Sequence, residues 1–262
     1  MKNVIFMPKI VPTDEKLSKF GGWEWMEYSE KAWRYWCNKN GCELIIYDSP
    51  SIEDTFKFRV TVQRWFDLFD FLDKNNIEYD QVAMIDACIF PKWDCPDFFK
   101  LTNNQFTAGL ENDNLGWVYK GVNGYKDIFD GFELDINKYF CSGFVILNKS
   151  HKELLRKFKN KYLENAEEFV DLQMNKVNCG TCQTPLNYVV QMNNTEVNYL
   201  PNPYRVSHLP RKDLLTSNHQ LNEDPTLFFI KYSYIWQFSG FDKRIRNKLM
   251  TQVWDLIKHN YE

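Results

Sequence analysis

Residues 79–89 read YDQVAMIDACI, and this stretch decides the fold. Its apolar run predicts a strand over residues 81–85 that is buried on both faces of a parallel sheet. The run ends at Asp86, which Ala87 and Cys88 follow. Ligands of open parallel sheets bind beyond the carboxyl ends of the strands. A carboxylate at this point can therefore accept hydrogen bonds from a nucleotide or hold a divalent cation.

The residues before this stretch alternate strands with helices. Apolar runs at residues 3–7 and 43–47 predict two strands, and Asp48 follows the second of them as a candidate ligand or a simple turn residue. Tryptophans between residues 25 and 36 share one helical face, and residues 59–73 repeat apolar side chains every three or four positions. This β-α-β-α-β order predicts a parallel nucleotide-binding sheet.

The two helices carry predictions about a helix end and a solvent-facing side. Gly41 suits the left-handed position that ends the first helix. In the second helix we expect a polar face toward solvent, formed by Gln63, Asp67, Asp70 and Lys74.

The second half of the chain mixes strands and helices less regularly. Strands are predicted at residues 105–109, 144–147, 197–200 and 228–230. Ser150 and Glu153 predict a capping box, Pro185 the first position of a helix, and residues 245–257 a C-terminal helix. The Gly- and Asn-rich residues 112–124, with Trp117, are interpreted as a loop for an acceptor.

Composition narrows the class of protein. The chain has 262 residues, of which 44% are apolar and 26% charged, with a formal net charge of −3. This composition fits one α/β domain and disfavours a general nucleic-acid binder, because there is no basic excess. No apolar run is long enough to span a membrane. The run at residues 4–7 is too short for a signal-peptide core, so we expect a cytoplasmic protein.

Seven cysteines, an odd number in a long chain, do not suggest a disulfide framework. Cys179 and Cys182 form a lone C-x-x-C pair, and a zinc site needs further ligands. A zinc or redox protein built on this pair is the third hypothesis for function.

Five segments, taken in order, resemble those of GT-A-fold glycosyltransferases, and most closely the family-eight group of glycogenin-like and galactosyltransferase-like enzymes. They are YDQVAMIDACI at 79–89, YFCSGFVILN at 139–148, QTPLN at 183–187, LPNPY at 200–204 and QFSGFDK at 237–243. The resemblance implies an α/β, Rossmann-like fold with a mixed central sheet flanked by helices. It implies one domain over residues 1–262, with a nucleotide-binding half at 1–90 and an acceptor-binding, closing half at 91–262.

The resemblance also implies roles for single residues. Asp86 would face the ribose and a metal ion, with Ala87, Cys88 and Asp48 beside the donor. Gln183 would lie beside the anomeric carbon of a retaining enzyme, and Asn187 would frame the sugar pocket. Lys243 would neutralise the leaving diphosphate. Arg59 or Arg64 would contact the donor, and the sequence leaves open which of the two does so.

The metal ligands of the family are largely missing. Cys88 replaces the second carboxylate of Asp-x-Asp, and Gln237 replaces the closing histidine. Cys141 and Cys182 replace two further polar residues of the family. Manganese prefers oxygen and imidazole ligands, so Asp86 alone is expected to bind it weakly or not at all. Catalysis without metal, weak binding of manganese or magnesium, and loss of activity are the three interpretations.

The leading hypothesis is therefore a hexosyl- or pentosyltransferase that uses a nucleotide-diphosphate sugar, with UDP-sugar first among the donors. A nucleotide-sugar-binding pseudoenzyme or interaction module is the rival. The sequence leaves open the oligomeric state and the acceptor, which is a glycan, a lipid, a protein or a modified nucleic acid.

Overall fold

A six-stranded sheet forms the centre of the molecule. The computed structural model describes residues 2–10, 22–55, 57–111, 114–215 and 226–262, except for the side chain of Lys243. The strands are β1 (Asn3–Pro8), β2 (Glu43–Tyr47), β3 (Gln81–Ile85), β4 (Ile89–Pro91), β5 (Phe106–Leu110), β6 (Phe140–Asn148), β7 (Val197–Tyr199) and β8 (Ile235–Gln237). The sheet runs in the order β2-β1-β3-β6-β5-β7, while β4 and β8 form a separate antiparallel pair.

Five strands of the sheet point the same way, and β6 runs against them. β1 pairs in parallel with β2 and β3, and β5 pairs in parallel with β7. β6 lies antiparallel between β3 and β5. The carboxyl ends of β3 and β5 therefore meet the beginning of β6 at one edge of the sheet.

Helices cover both faces of the sheet. They are α1 (Glu24–Asn40), α2 (Val60–Lys74), α3 (Leu115–Tyr125), α4 (Lys152–Glu164), α5 (Ala166–Asp171), α6 (Gln183–Met192), α7 (His208–Leu215), α8 (Phe228–Tyr232) and α9 (Lys243–Ile257). Alternate residues of β1 enter different cores: Val4 and Phe6 pack with α2, α4 and α6, whereas Ile5 and Met7 pack with α1 and α9. Burial on both faces explains why β1 and β3 are continuous apolar runs.

The predicted mixed α/β fold is confirmed. β2 and β3 have the predicted bounds, β1 is one residue longer, and Gly41 ends α1 with φ +66°. Because β3 pairs with β6, the sheet joins residues on both sides of the proposed boundary at 90. The two halves as functional units stay a prediction.

Several local predictions are wrong. Residues 228–230 belong to α8, and the strand of this region is β8, three residues past that helix. Most of the predicted acceptor loop at residues 112–124 is helical, because residues 115–125 form α3. The Asn114 side chain caps this helix by accepting a hydrogen bond from Trp117 N. Residues 112–113 lie outside the described part. α6 begins at Gln183, which places Pro185 third instead of first.

The predicted capping box at Ser150 and Glu153 is also wrong. Asn148 caps the single 3-10 turn before α4, and its partner is His151: the Asn148 side chain accepts from the turn, and His151 Nδ1 accepts from Asn148 N at 3.1 Å. Glu153 instead pairs with Arg156 on the surface of α4.

The polar face predicted for α2 is wrong at two positions, because Gln63 and Asp67 are buried. Asp67 accepts hydrogen bonds from the Tyr47 hydroxyl and from Ser51, while the Gln63 amide bonds to the backbone of Ile52. Both residues satisfy polar groups of the loop that follows β2.

No helix in the described ranges is both long and apolar enough to cross a membrane. All seven cysteines lie in the described ranges, and all are free thiols.

The buried His151 predicts a pH dependence of stability. Burial lowers the pKa of its imidazole below the usual 6.5, so the unfolded chain takes up a proton first as the pH falls. This contribution to stability is complete above pH 6.5 and declines below it, by at most about 1.4 kcal/mol per pH unit. Urea unfolding at pH 7.5 and 5.5 should show a smaller pH dependence in His151→Gln than in the wild type.

The exposed His259 provides the matched control. His259→Gln should keep the wild-type pH dependence. An equal pH dependence in both variants would show that His151 does not contribute.

Candidate functional site

A cavity of about 530 Å³ opens at the edge of the sheet where β3 and β5 end and β6 begins. This volume is in the range of ligand pockets, about 300–1,000 Å³. The described residues that line it are Thr61, Arg64, Asp86, Glu111, Asn114, Trp117, Cys141, Ser142, Gly180, Thr181, Cys182, Gln183, Arg205, Ser207, Arg211, Gln237, Ser239 and Gly240. Three arginines and two carboxylates among them leave a net positive charge.

Asp86 is held by Arg64. The Arg64 side chain is 3% exposed, and its guanidinium forms a short ion pair with Asp86 at the end of β3. It also donates to the backbone oxygen of Ser142 at 3.2 Å and contacts Cys182 Sγ. Burial by itself would lower the pKa of Arg64, but attraction to Asp86 and Cys182 raises it above its usual value. A charged guanidinium therefore lines the cavity.

Gly143 lets two cavity residues approach each other. A Cβ atom at this position would lie 2.7 Å from Asp86 Oδ2 and closer still to Gln237 Nε2. Gly143 also accepts a backbone hydrogen bond from Asp86 N at 2.7 Å. Because Gly143 has no side chain, Asp86 and Gln237 can lie next to each other in the site. They are 151 positions apart in the chain.

Gln183 lies at the beginning of α6, on the cavity wall. Its Oε1 accepts a hydrogen bond from Ser142 N at 3.0 Å, and its Nε2 lies 3.4 Å from Glu111 Oε2. Glu111 follows β5 as Asp86 follows β3. Its carboxylate pairs with Arg205 at 2.6 Å, and both side chains are at most 11% exposed.

Arg205 and Arg211 meet at one hydroxyl. Arg205 Nη2 lies 3.5 Å from Ser207 Oγ, and Arg211 Nη2 lies 3.0 Å from the same atom. Arg205 Nε also donates to Gln237 Oε1 at 3.3 Å. Gly240, with φ +80°, leaves room for Arg211, because a Cβ there would lie 2.6 Å from its Nη1. Two guanidinium groups are therefore fixed on one side of the cavity.

The structure brings Asp86, Arg64, Gln183 and Gln237 together, and Arg64 lines the cavity whereas Arg59 is not among the described lining residues. The Arg59 guanidinium contacts Met174 outside the cavity lining, and Asp48 is exposed beyond β2, bonded to Ser49. The Lys243 side chain lies outside the described part of the chain. Its backbone begins α9.

Asn187, Ala87 and Cys88 are not among the described residues of the lining. Asn187 is fully buried, and its amide bonds to both backbone groups of Phe140. It supports the start of β6 from α6. Ala87 and Cys88 are buried in the turn between β3 and β4. Their predicted contacts with a donor stay predictions.

The residues present do not fit a manganese site. Burial, together with the nearby Asp86, raises the pKa of Cys88 to about 12, so its thiol is neutral. The Asp86 carboxylate is paired with Arg64, and the Gln237 amide is bonded to Arg205 and to Cys141 Sγ. Among the described residues, no group of three His, Cys, Asp or Glu side chains could hold a metal ion. This finding does not support zinc at Cys179 and Cys182 either.

Sequence reasoning missed Glu111, Arg205, Ser207 and Arg211. Glu111 could have been found by the rule that selected Asp86, since it closely follows a predicted strand. Arg205 comes directly after the segment LPNPY at 200–204. Arg211 carries no local signal, because its place in the cavity depends on a contact with the distant Gly240 turn.

Solved structures resemble the chain over nearly its whole length. A glycosyltransferase involved in the glycosylation of the major capsid of PBCV-1 matches with a TM-score of 0.53 and 9% identity, over 96% of this chain and all of that one. The fold is that of GT-A glycosyltransferases.

Two further structures match less closely. The galactosyltransferase LgtC, in complex with donor and acceptor sugar analogues, matches with a TM-score of 0.47 and 12% identity, over 96% of this chain and 99% of that one. The bifunctional glycosyltransferase WbbM in its apo form matches with a TM-score of 0.49 and 12% identity, over all of this chain and 52% of that one. No protein-family model and no curated protein sequence matches the chain.

The close approach at Gly143 predicts a cost for any side chain there. Gly143→Ala should lower the free energy of unfolding by about 1–3 kcal/mol, because Gln237 and Asp86 would have to move. Urea unfolding measures it. In the matched control, Gly116→Ala, the new Cβ meets only the Asn114 side chain at 3.7 Å. That variant should be neutral or slightly stabilised, and an equal loss in both variants would contradict the close approach.

Proposed function

We propose that the protein is a glycosyltransferase that moves a sugar from a nucleotide-diphosphate sugar to an acceptor hydroxyl. One observation carries this proposal. In a GT-A fold, a ligand-sized cavity at the carboxyl edge of the parallel strands brings together Asp86, Gln183 and three arginines. This is where open α/β sheets bind ligands, and the positive balance of the lining suits an anionic donor.

Transfer from such a donor passes through an oxocarbenium-like state while the diphosphate departs. The departing group gains negative charge, which fixed guanidinium groups stabilise without reorganising. Gln183 is not a base. Its carbonyl oxygen accepts a hydrogen bond from Ser142 N at 3.0 Å and a longer one from Ser142 Oγ at 3.5 Å. The partial negative charge of this fixed oxygen would stabilise the positive charge that develops at the anomeric carbon. That role suits a retaining reaction, in which the acceptor approaches from the same face as the leaving group.

The resemblance suggests the donor, and one residue of the cavity lining suggests where a sugar ring could bind. A UDP-sugar is the proposed donor, because the segments that carry the resemblance belong to enzymes with that donor. The half-buried Trp117 on α3 lines the same cavity and offers an aromatic surface for a sugar ring. A glycan, a lipid, a protein and a modified nucleic acid remain the acceptor classes to be tested.

Catalysis is proposed to need no metal. Asp86 is already neutralised by Arg64, and the neutral Cys88 thiol is not a ligand that manganese or magnesium prefers. The Gln237 carbonyl oxygen already accepts hydrogen bonds from Arg205 and Cys141. Cations of the chain itself would balance the diphosphate.

Turnover gives the first test of this function. Wild-type protein in EDTA should hydrolyse at least one UDP- or GDP-sugar, and CMP-sugars, which carry a single phosphate, should not react. Gln183→Ala should lower the rate at least tenfold. Gln191→Ala is the matched control, since Gln191 lies on the same helix and bonds to the backbone of Asp135 outside the cavity. It should keep the wild-type rate.

Asp86→Ala is a poor probe by comparison. It would leave the buried Arg64 without its carboxylate, which costs about 3 kcal/mol or more. Donor binding without turnover in EDTA, manganese and magnesium alike would contradict the enzyme and favour the binding protein.

Manganese provides a second test, read out by thermal unfolding alone. A ligand that binds only the folded state raises the melting temperature. Manganese should not raise it in the wild type, should raise it slightly in Cys88→Asp, and should raise it most in Cys88→Asp with Gln237→His. Without metal, Cys88→Asp should be less stable than the wild type, because it buries a second carboxylate beside Asp86. An equal effect of manganese on the wild type and the double variant would contradict the proposed absence of a metal site.

A further inference from the structure

We infer that Arg205 and Arg211 form a diphosphate clamp, in which two guanidinium groups joined through Ser207 bind the donor's phosphates in place of a divalent cation. The inference rests on the proposed function and assigns the part of the cavity that binds the leaving group. No sequence segment that carries the resemblance contains either arginine.

The first support is the position of Arg205. Its Nε donates to Gln237 Oε1 at 3.3 Å, and Gln237 stands where the resemblance places the third metal ligand. Gln237 and Asp86 both lie within 2.7 Å of the Cβ position of Gly143. A fixed positive charge is therefore one hydrogen bond away from the place where the family would hold its cation.

The second support is the closeness of two like charges. The guanidinium groups of Arg205 and Arg211 lie 3.5 Å and 3.0 Å from the same hydroxyl oxygen, Ser207 Oγ. Among the described residues here, these two guanidinium groups and the Glu111 carboxylate leave a positive charge, which an anion between the arginines would balance. Guanidinium groups match phosphate oxygens with two parallel hydrogen bonds, which makes a phosphate group the anion that suits them best.

The third support is that the chain builds space for both side chains. Gly109, where β5 shifts register against β6, leaves room for Arg205, since a Cβ there would lie 2.7 Å from the arginine Cβ. Gly240, in the left-handed region, does the same for Arg211. The clamp is thus fixed from two sides, and Glu111 orients Arg205 at 2.6 Å. Such fixed donors bind without the cost of ordering them.

Arg211→Gln is the main test variant, because Arg211 is half-buried, whereas Arg205 is buried in an ion pair with Glu111. Calorimetry in EDTA with UDP, GDP, UMP and inorganic pyrophosphate measures binding. We expect Arg211→Gln to weaken the binding of UDP or GDP, whichever binds the wild type more tightly, at least tenfold. The binding of pyrophosphate should weaken by a similar factor. The binding of UMP should weaken less than that of the diphosphate, because UMP offers only one phosphate to the clamp. Arg244→Gln, which removes an exposed arginine paired with Asp242 on α9, should change each affinity by less than twofold.

Arg205 needs a compensated variant. Arg205→Gln with Glu111→Gln removes the whole buried pair, and the melting temperature reports whether the variant folds. The same affinity loss is expected there.

The outcomes separate the clamp from the proposed enzyme. An unchanged diphosphate affinity in Arg211→Gln, or an equal loss in Arg244→Gln, would overturn the clamp while leaving a wild-type turnover intact. Binding of pyrophosphate that depends on Arg211, with no binding of any nucleotide, would support the clamp and overturn the donor assignment. A wild type that binds none of the four ligands would overturn both.

Discussion

The ion pair between Arg64 and Asp86 is the interaction on which the site depends. It joins α2 to the end of β3, and through Ser142 it also holds the beginning of β6. A buried guanidinium is tolerated only with a partner, so the carboxylate is part of the fold as well as of the cavity. This double role limits what Asp86 can do. Its carboxylate already forms an ion pair with Arg64, so a metal ion would have to compete with the guanidinium for it.

A second set of contacts extends from this pair across the cavity. Gln237 approaches Asp86 over Gly143, Arg205 bonds to Gln237, and Arg211 follows through Ser207. Each residue is oriented by its neighbour instead of by a bound ion. Positive charge is thus distributed along a polar wall, whereas a metal site would concentrate it at one point. A wall of this kind is ordered before any ligand arrives, which is the condition for electrostatic stabilisation of a departing anion.

The sequence predicted the first three strands closely. β1 and β3 are buried on both faces, so each is a short apolar run with definite ends. It failed where polar residues are buried. A helical pattern assigns Gln63 and Asp67 to solvent, yet loop groups after β2 need them as partners. The run at residues 228–230 is apolar but too short for its period to separate a strand from a helix. In the site, Asp86 and Gln183 carried local signals, whereas Arg205 and Arg211 depend on contacts between distant segments.

The antiparallel strand β6 has a consequence for the order in which this protein can fold. β3 is buried along its whole length, and 54 residues separate its end from the start of β6, one of its two neighbours. Until β6 inserts, β3 is an open apolar edge of the kind that pairs with other chains. Synthesis proceeds from the N-terminus, so the first ninety residues pass through a period in which this edge is exposed and aggregation competes with folding. The strand that completes the cavity is therefore also the one that protects the nascent sheet.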